Sequence, residues 1–495
     1  MTDPNNMKMR NPLVPAKTLA TSLAAALLLA GCSMAPTYER PVAPVPQYFP
    51  NNPAQIAGQP ATAQIAWQDY FTDPRLVGLI NTALQNNRDL RVAVLNIETA
   101  RSQFRITRSA QVPNLNLNAG GTRQRPSLLG NTVSESDYVN VGIPAWELDF
   151  FGRIQSLKDA ALSQYLATEE ARKATQISLV AAVATGWLAV IADEESMQIT
   201  RDTLATREEG LRLSKLRFDN GVISEIDLRL AESLAESARA TYAQQQRLRL
   251  QDENALALLL GMPVPPESIK GGLGALDAVA PMADVPAGLP SELLEQRPDI
   301  RAAEQQLLAA NANIGAARAN FFPRITLTAT YGTASNELSG LFDSGTKAWS
   351  FAPSLVLPIF DYGANSARLD SAWANRDIAL AQYEKSIQSA FREVADALAG
   401  RATLGDQLDA LRKTALAEEA RFKLSDLRYR TGLADALDLQ DAQRSLFTAQ
   451  LAATQTRLAQ LQNQVTLFKA LGGGWASRET AAAAPTTSQA SQATR

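Results

Sequence analysis

The chain has 495 residues, 46% of them hydrophobic and 20% charged, and a formal net charge of −3, which gives no electrostatic case for nucleic acid as a partner. It contains no histidine and a single cysteine. The commonest general base and transition-metal ligand are therefore missing, a disulfide framework is excluded, and neither a catalytic constellation nor a cofactor is expected.

In chain order, Lys8, Arg10 and Lys17 precede an apolar run at 19–30 that is too short to span a bilayer and reads, over residues 1–31, as a signal peptide. The run closes on Leu29-Ala30-Gly31-Cys32, which resembles a bacterial lipobox. That resemblance implies a covalent lipid at Cys32 (a diacylglycerol thioether and an N-acyl chain), and Ser33 after it implies delivery to the outer membrane. Residues 32–74 then form an anchored amino-terminal segment whose proline-rich part, Pro36 to Pro50, is expected to run extended. Trp67, Tyr70 and Phe71 at its end are expected to pack rather than to bind a ligand.

Beyond residue 74 the chain repeats itself. Arg217, Gly221, Asp227 and Gly261 recur 211 residues later as Arg428, Gly432, Asp438 and Gly472. Upstream the offset is 210, linking Asp89 with Asp299, Arg91 with Arg301, Arg108 with Arg318 and Pro113 with Pro323. Such constancy indicates a tandem duplication, repeat 1 at 75–261 and repeat 2 at 291–472. An irregular Pro/Gly linker at 262–290 separates them, and a polar tail at 473–495 is expected to be disordered.

Each repeat follows one recipe: a helix, two strands and a long helical hairpin. The first helices end near Arg108 and Arg318. Alternation then sets Leu115 and Leu117 against Asn114, Asn116 and Asn118, and Ile325, Leu327, Ala329 and Tyr331 against Thr326, Thr328 and Thr330. That is period two, a strand with one apolar and one polar face. Second strands are expected around Val139, Val141 and Ile143 and over Phe351 to Ile359, though Pro144, Pro353 and Pro358 interrupt them. Strands of about ten to twelve residues suffice for a tilted crossing of a bilayer. Tyr138, Trp146, Tyr331 and Trp349 suit an interfacial aromatic belt near the strand ends.

The helices that follow are far longer than usual. Gly152 to Phe218 and Gly363 to Tyr429 are proline-free and rich in Ala, Leu, Glu, Gln and Arg. At a rise of about 1.5 Å per residue each makes a rod of roughly 100 Å, the length of a coiled coil or a spanning duct. Glycine turns at Gly221 and Gly432 lead into return helices, about 223–260 and about 434–471. The most apolar stretch, Leu179 to Ala192, is interrupted by Thr185, Gly186 and Trp187 and reads as a packed helix face.

Four amphipathic strands cannot close a barrel, and an open sheet edge is prohibitive in lipid because unpaired amides find no water there. Other copies of the chain must complete the sheet. Two copies give eight strands and three give twelve; spacing alone does not choose between them.

The lipobox and the duplicated layout are joined by local motifs: Glu295-Gln296-Arg297-Pro298-Asp299-Ile300, Phe321-Phe322-Pro323, Arg428-Tyr429-Arg430-Thr431-Gly432, Asp441-Ala442-Gln443-Arg444-Ser445-Leu446 and Ala470-Leu471-Gly472-Gly473-Gly474-Trp475. With these the chain, over about 36–474, resembles the TolC-type outer-membrane factors of the lipidated OprM/NodT-like branch. The resemblance implies an α+β membrane protein and a homotrimer. Three chains of four strands each would complete an outer-membrane β-barrel, continued by a long periplasmic α-helical barrel. It further implies an exit duct for drugs or other small molecules, served by a periplasmic adaptor (membrane fusion) protein and an inner-membrane transporter of the RND type.

A duct does no chemistry, so its functional residues are those that open, close and select. The resemblance puts a gate at the turns of Gly221 and Gly432, with Leu437 as apolar constriction and Asp438 and Asp441 as acidic rings. Such rings raise the local cation concentration and disfavour anions, and Leu437 would plug the bore sterically and by dewetting. Tyr429 and Arg430 match or adjoin positions that restrain the closed turn, with Asp227 as a candidate partner. Rival readings are an exit duct for type I protein secretion, a heavy-metal efflux duct, and a lipid-anchored coiled-coil scaffold without a pore. Four alternating strands argue against the scaffold, which would not need them.

Overall fold

A computed structural model describes residues 34–50, 65–125, 133–285 and 294–476; Cys32, the signal segment and the tail beyond 476 lie outside them. The helices are α1 (Trp67–Tyr70), α2 (Pro74–Asn86), α3 (Arg88–Ser109), α4 (Arg153–Asp219), α5 (Glu225–Leu260), α6 (Pro298–Ala319), α7 (Ala364–Arg430) and α8 (Ala436–Ala470). Between α3 and α4 lie β1 (Asn116–Gln124) and β2 (Ser134–Leu148), and between α6 and α7 lie β3 (Arg324–Ser335) and β4 (Lys347–Val356). α3 and α6 share both bounds at the 210 offset, and α4 and α7 share both at 211. The two compact units cut across the repeats. One holds residues 34–40, 99–165 and 305–380; the other holds 41–98, 166–304 and 381–476.

The first unit is built on an antiparallel sheet of order β1-β2-β3-β4. Its register puts Leu117, Val141, Tyr331 and Trp349 in one cross-strand row and Ile143, Ala329 and Phe351 in another, so the apolar sets of all four strands share a face. The other face carries Asn116, Asn118, Asn140, Thr326, Thr328 and Thr330. β2 tolerates Pro144 through a bulge between Ile143 and Trp146. The extra residue re-phases the strand, so that Ile143 and Trp146, three apart, both stay on the apolar face. β1 and β4 leave both outer edges open, and β4 is exposed throughout.

Two expectations change here. β4 covers 347–356 rather than 351–359: its partner β3 begins at Arg324, paired with Val356, and Pro358 has no N–H to extend the ladder. Trp146 and Trp349 each lie two residues from a strand end, whereas Tyr138 and Tyr331 stand four residues in, with Tyr331 directly opposite Trp349.

The second unit holds most of both hairpins. The apolar stretch of α4 is long enough to cross a membrane by length and composition, but it is spent on packing: Val183, Ala184, Trp187, Leu188, Val190 and Ile191 are fully buried. Trp187 donates its indole N–H to the Ser268 carbonyl at 2.7 Å, which seats the linker on α4. Trp67, Tyr70 and Phe71 are buried, and Tyr70 stacks on Phe468 with centroids 3.9 Å apart. Each such side chain contributes about 1.5–3 kcal/mol by burial, enough to pin a short segment that has little structure of its own. Arg297, from the Glu-Gln-Arg-Pro-Asp motif, is buried and forks onto Asp299 (2.6 Å) while reaching Glu393 and the Ala470 carbonyl (both 2.9 Å). The motif is thus a staple between the start of α6, α7 and the end of α8. Burial disfavours the charge on Asp299, but the Arg297 hydrogen bonds outweigh it and hold the carboxyl below its usual range.

Candidate functional site

Both hairpins turn by the same local chemistry. After α4, Gly221 takes φ +70°, and the Val222 N–H reaches back to the Arg217 carbonyl at 2.8 Å. After α7, Gly432 takes φ +76°, and the Leu433 N–H reaches the Arg428 carbonyl at 2.8 Å. A left-handed glycine with a six-to-one bond satisfies the last carbonyls of a helix, and any side chain at that φ would be strained. The return helices start on side-chain caps. Ser224 and Asp227 form a reciprocal capping box on α5, and the Asp435 carboxylate accepts from the Asp438 N–H on α8.

The expected gate residues occupy different environments. Leu437, in the first turn of α8, is 65% exposed. Asp438 is exposed, and its carboxylate has no partner among the described residues. Asp441 is engaged twice: Arg421 on α7 and Arg444 on α8 both donate to its carboxylate at 2.5 Å. Arg421 also pairs with Glu418 at 3.1 Å. The Arg421 hydrogen bond first, then that of Arg444, hold the Asp441 carboxyl below the usual range. Two arginines and two carboxylates sum to zero, so within one chain the cluster is a neutral ion-pair network across the α7–α8 hairpin.

The restraint residues also sort themselves. Tyr429 joins the two hairpins: the guanidinium of Arg217 on α4 donates to its hydroxyl at 2.5 Å and lies 4.8 Å from its ring centroid. Arg430 pairs with Asp426 one turn back at 2.8 Å, within α7. Asp227 is turned onto Ser224, accepting from its hydroxyl at 2.7 Å, and makes no bond to Tyr429 or Arg430 within the chain. Sequence reasoning used Arg217 only as a landmark of the duplication and missed it as the partner of Tyr429. It also missed Arg421 and Arg444, although Arg444 lies one turn from Asp441 and that spacing was a usable signal.

A second charged feature lies farther along the α4–α5 hairpin. Asp193 on α4 lies near Asp252 on α5, and burial, followed by the Asp252 charge, pushes the Asp193 carboxyl up to about 7. The nearby Arg249 is drawn off by Glu194 (2.5 Å) and Glu253 (3.0 Å). Among the described residues no cluster of His, Cys, Asp or Glu is arranged to hold a metal ion.

Comparison with known proteins gives a consistent answer. The family model for "Outer membrane efflux protein" matches residues 79–262 and 289–473. The toluene efflux pump outer membrane protein TtgC of Pseudomonas putida is 45% identical over 467 residues, covering 93% of this chain and 96% of that protein. Outer membrane protein OprJ of Pseudomonas aeruginosa is 47% identical over 464 residues, covering 92% and 95%. Among solved structures, the open state of the MtrE outer membrane channel of Neisseria gonorrhoeae superposes with a TM-score of 0.80 at 44% identity, covering 91% of this chain and all of that one.

Proposed function

The chain belongs to the outer membrane efflux protein family, and from that premise we propose how its hairpin turns gate the duct it forms. It is an outer-membrane component of an efflux pump, the exit channel, with its helical hairpins extending into the periplasm. Three copies of the chain, contributing four strands each, complete the barrel; the two open edges of the sheet and its single apolar face support this. The channel works with a periplasmic adaptor and an inner-membrane transporter, for which we propose the RND type. Small apolar solutes are the proposed cargo, on the strength of the toluene in the name of the P. putida relative.

At the turn, the Arg421–Asp441–Arg444 lock carries the reading. Repeat 1 has Gly210, Leu230 and Ser233 at the positions of Arg421, Asp441 and Arg444, so duplication alone does not account for these charges. The lock holds the α7–α8 hairpin closed, Leu437 supplies the apolar constriction, and Asp438, with its free carboxylate, supplies cation preference. Tyr429 with Arg217 ties the two hairpins of one chain together.

Single-channel conductance in planar bilayers tests the division of roles. Asp441→Ala should raise conductance and weaken cation preference, because Arg421 and Arg444 are left without their counter-charge. Leu437→Ala should raise conductance with selectivity unchanged, and Asp438→Asn should lower cation preference with little change in conductance. If Asp441→Ala conducted like wild type, the lock reading would be wrong even though the chain is a channel.

A further inference from the structure

Residues 34–36 lie along one face of α6, and the contact is built from both sides. The Arg318 guanidinium donates to the Met34 carbonyl at 3.1 Å, and the Asn311 amide donates to the Pro36 carbonyl at 2.7 Å. Gly315 stands between these donors; positions 311, 315 and 318 fall on one stripe of a helix. A Cβ on Gly315 would lie 2.7 Å from the Ala35 amide nitrogen and 2.6 Å from the Ser156 hydroxyl, so the strap backbone fills the space of a side chain. Asn311 and Ser156 are buried, and Arg318 is held in place over the Trp373 ring at 5.4 Å.

The duplication supplies an internal control. On α3, 210 residues upstream, the same three positions are Arg101, Arg105 and Arg108. A strap cannot lie against an arginine as it lies against Gly315. The groove is therefore particular to the second repeat.

We propose that this face of α6 is a clamp for the mature amino terminus, which converts the lipid at Cys32 from a loose tether into a positioned anchor. The inference rests on the lipidation reading of Cys32. Two residues of chain reach at most about 7 Å, so Cys32 stays within that distance of Met34 wherever its own backbone runs. The clamp lies at the end of α6, with Arg318 one residue from its last position and β3 starting at Arg324. Acyl chains leaving there enter the bilayer beside the sheet. A clamped anchor holds β1 and β4 of each chain at one depth, which raises the effective concentration of edges that must pair between copies.

Two insertions test this without touching the body of the protein. About ten Gly/Ser residues placed between Ser33 and Met34 uncouple the lipid from the clamp, whereas the same insert after Arg40 leaves the two coupled. SDS-resistant oligomer in the outer-membrane fraction is the readout, alongside palmitate incorporation. The first insert should lower the oligomer several-fold and the second should leave it near wild type. Gly315→Leu should behave like the first insert, and in a Cys32→Ser chain exported by a cleavable signal it should add no further loss. Equal yields from the two inserts, or the same fold-loss from Gly315→Leu with and without the lipid, would overturn the clamp. Wild-type chain that takes up no palmitate would remove the anchor reading and this proposal with it, while the gate reading would stand.

Discussion

The two helical hairpins, α4–α5 and α7–α8, are copies of one design that now carry their charges in different places. Their long helices match end for end at an offset of 211, and both turn on a left-handed glycine followed by a side-chain cap. Near the turn, α7–α8 holds Arg421, Asp441 and Arg444 where α4–α5 has Gly210, Leu230 and Ser233. Farther from the turn the asymmetry reverses. Asp193 and Asp252 of the first hairpin correspond to Leu404 and Asn463 of the second, where the Asn463 amide donates to the Ala397 carbonyl at 2.9 Å. Backbone grammar has been kept in both copies, because glycine φ and helix caps are needed wherever a hairpin turns. Charges have been free to diverge, and each hairpin carries its own charged cluster at a different distance from the turn.

The comparison breaks most severely if the second hairpin is given the residues of the first. Arg421→Gly with Asp441→Leu removes the lock and should produce the largest change, a several-fold rise in single-channel conductance. The reciprocal change, Gly210→Arg with Leu230→Asp, should leave conductance close to wild type, since that hairpin has Ser233 where the second has Arg444. Comparable rises from both double variants would mean that any disturbance of a turn opens the channel and that the lock has no special standing.

The next effect is one of pH. Asp193 has its pKa raised on folding, from an ordinary 3.8 to about 7. A raised acid stabilises the fold fully below its unfolded value and loses that contribution as pH climbs through the folded value. The α4–α5 hairpin should therefore be tightest near pH 4 and progressively looser up to about pH 7, with no further loss above it. Because the group is only half-buried, solvent screening reduces the effect to about 1–2 kcal/mol. Asp252→Asn copies the residue of the second hairpin and should flatten the pH dependence of thermal stability between pH 5 and 8 while raising stability at pH 8. A slope unchanged by that substitution would assign the titration to another group.

A smaller effect is expected where the hairpins touch. Phe218 is the repeat-1 counterpart of Tyr429, so Tyr429→Phe erases that difference. It keeps the ring beneath Arg217 and removes only the hydroxyl that accepts its hydrogen bond. Conductance should rise slightly, and less than with Arg217→Ala, which removes both contacts. Equal rises from the two variants would show that the hydroxyl, not the ring, holds the link, and a larger rise from Tyr429→Phe would mean that the hydroxyl acts through a group other than Arg217.

Much of this architecture was legible in the residues. Proline-free stretches and glycine turns predicted the long helices, and period-two alternation predicted which strand faces are apolar. The limit was reached wherever a partner is distant in sequence. Asp441 read as a bare carboxylate because Arg421 lies on the opposite helix, twenty residues away through a turn. Tyr429 depends on Arg217, 212 residues upstream, and no periodicity reports such a pair. Asp227 read as a candidate partner of Tyr429 and Arg430; within the chain it is held in the capping box with Ser224 three residues before it, a local motif that was open to inspection. β4 was shifted because strand ends are set by the partner strand, and the start of β3 decides where pairing stops.

The smallest effect concerns the caps, and it tests whether the two turns are mechanically alike. Ser224→Ala removes one half of a reciprocal box in which the Asp227 carboxylate also accepts from the Ser224 N–H, at 3.2 Å. Asp435→Ala removes a single cap, since among the described residues the Asp438 side chain makes no return bond to the cap backbone. Each cap is worth about 1 kcal/mol, so neither loss should unfold a hairpin of this length. The difference lies in what else steadies the first turn of each return helix. α8 keeps the Arg421–Asp441 link one turn in, whereas near its start α5 has the pairing of Arg229 with Glu225 and Glu232 along its own surface, its ties to α4 through Leu234 and Arg239 lying farther on. Amide exchange at residues 225–228 should therefore accelerate more on Ser224→Ala than exchange at 436–439 does on Asp435→Ala. Adding Asp441→Leu should abolish that difference, because the second turn then depends on its cap as the first does.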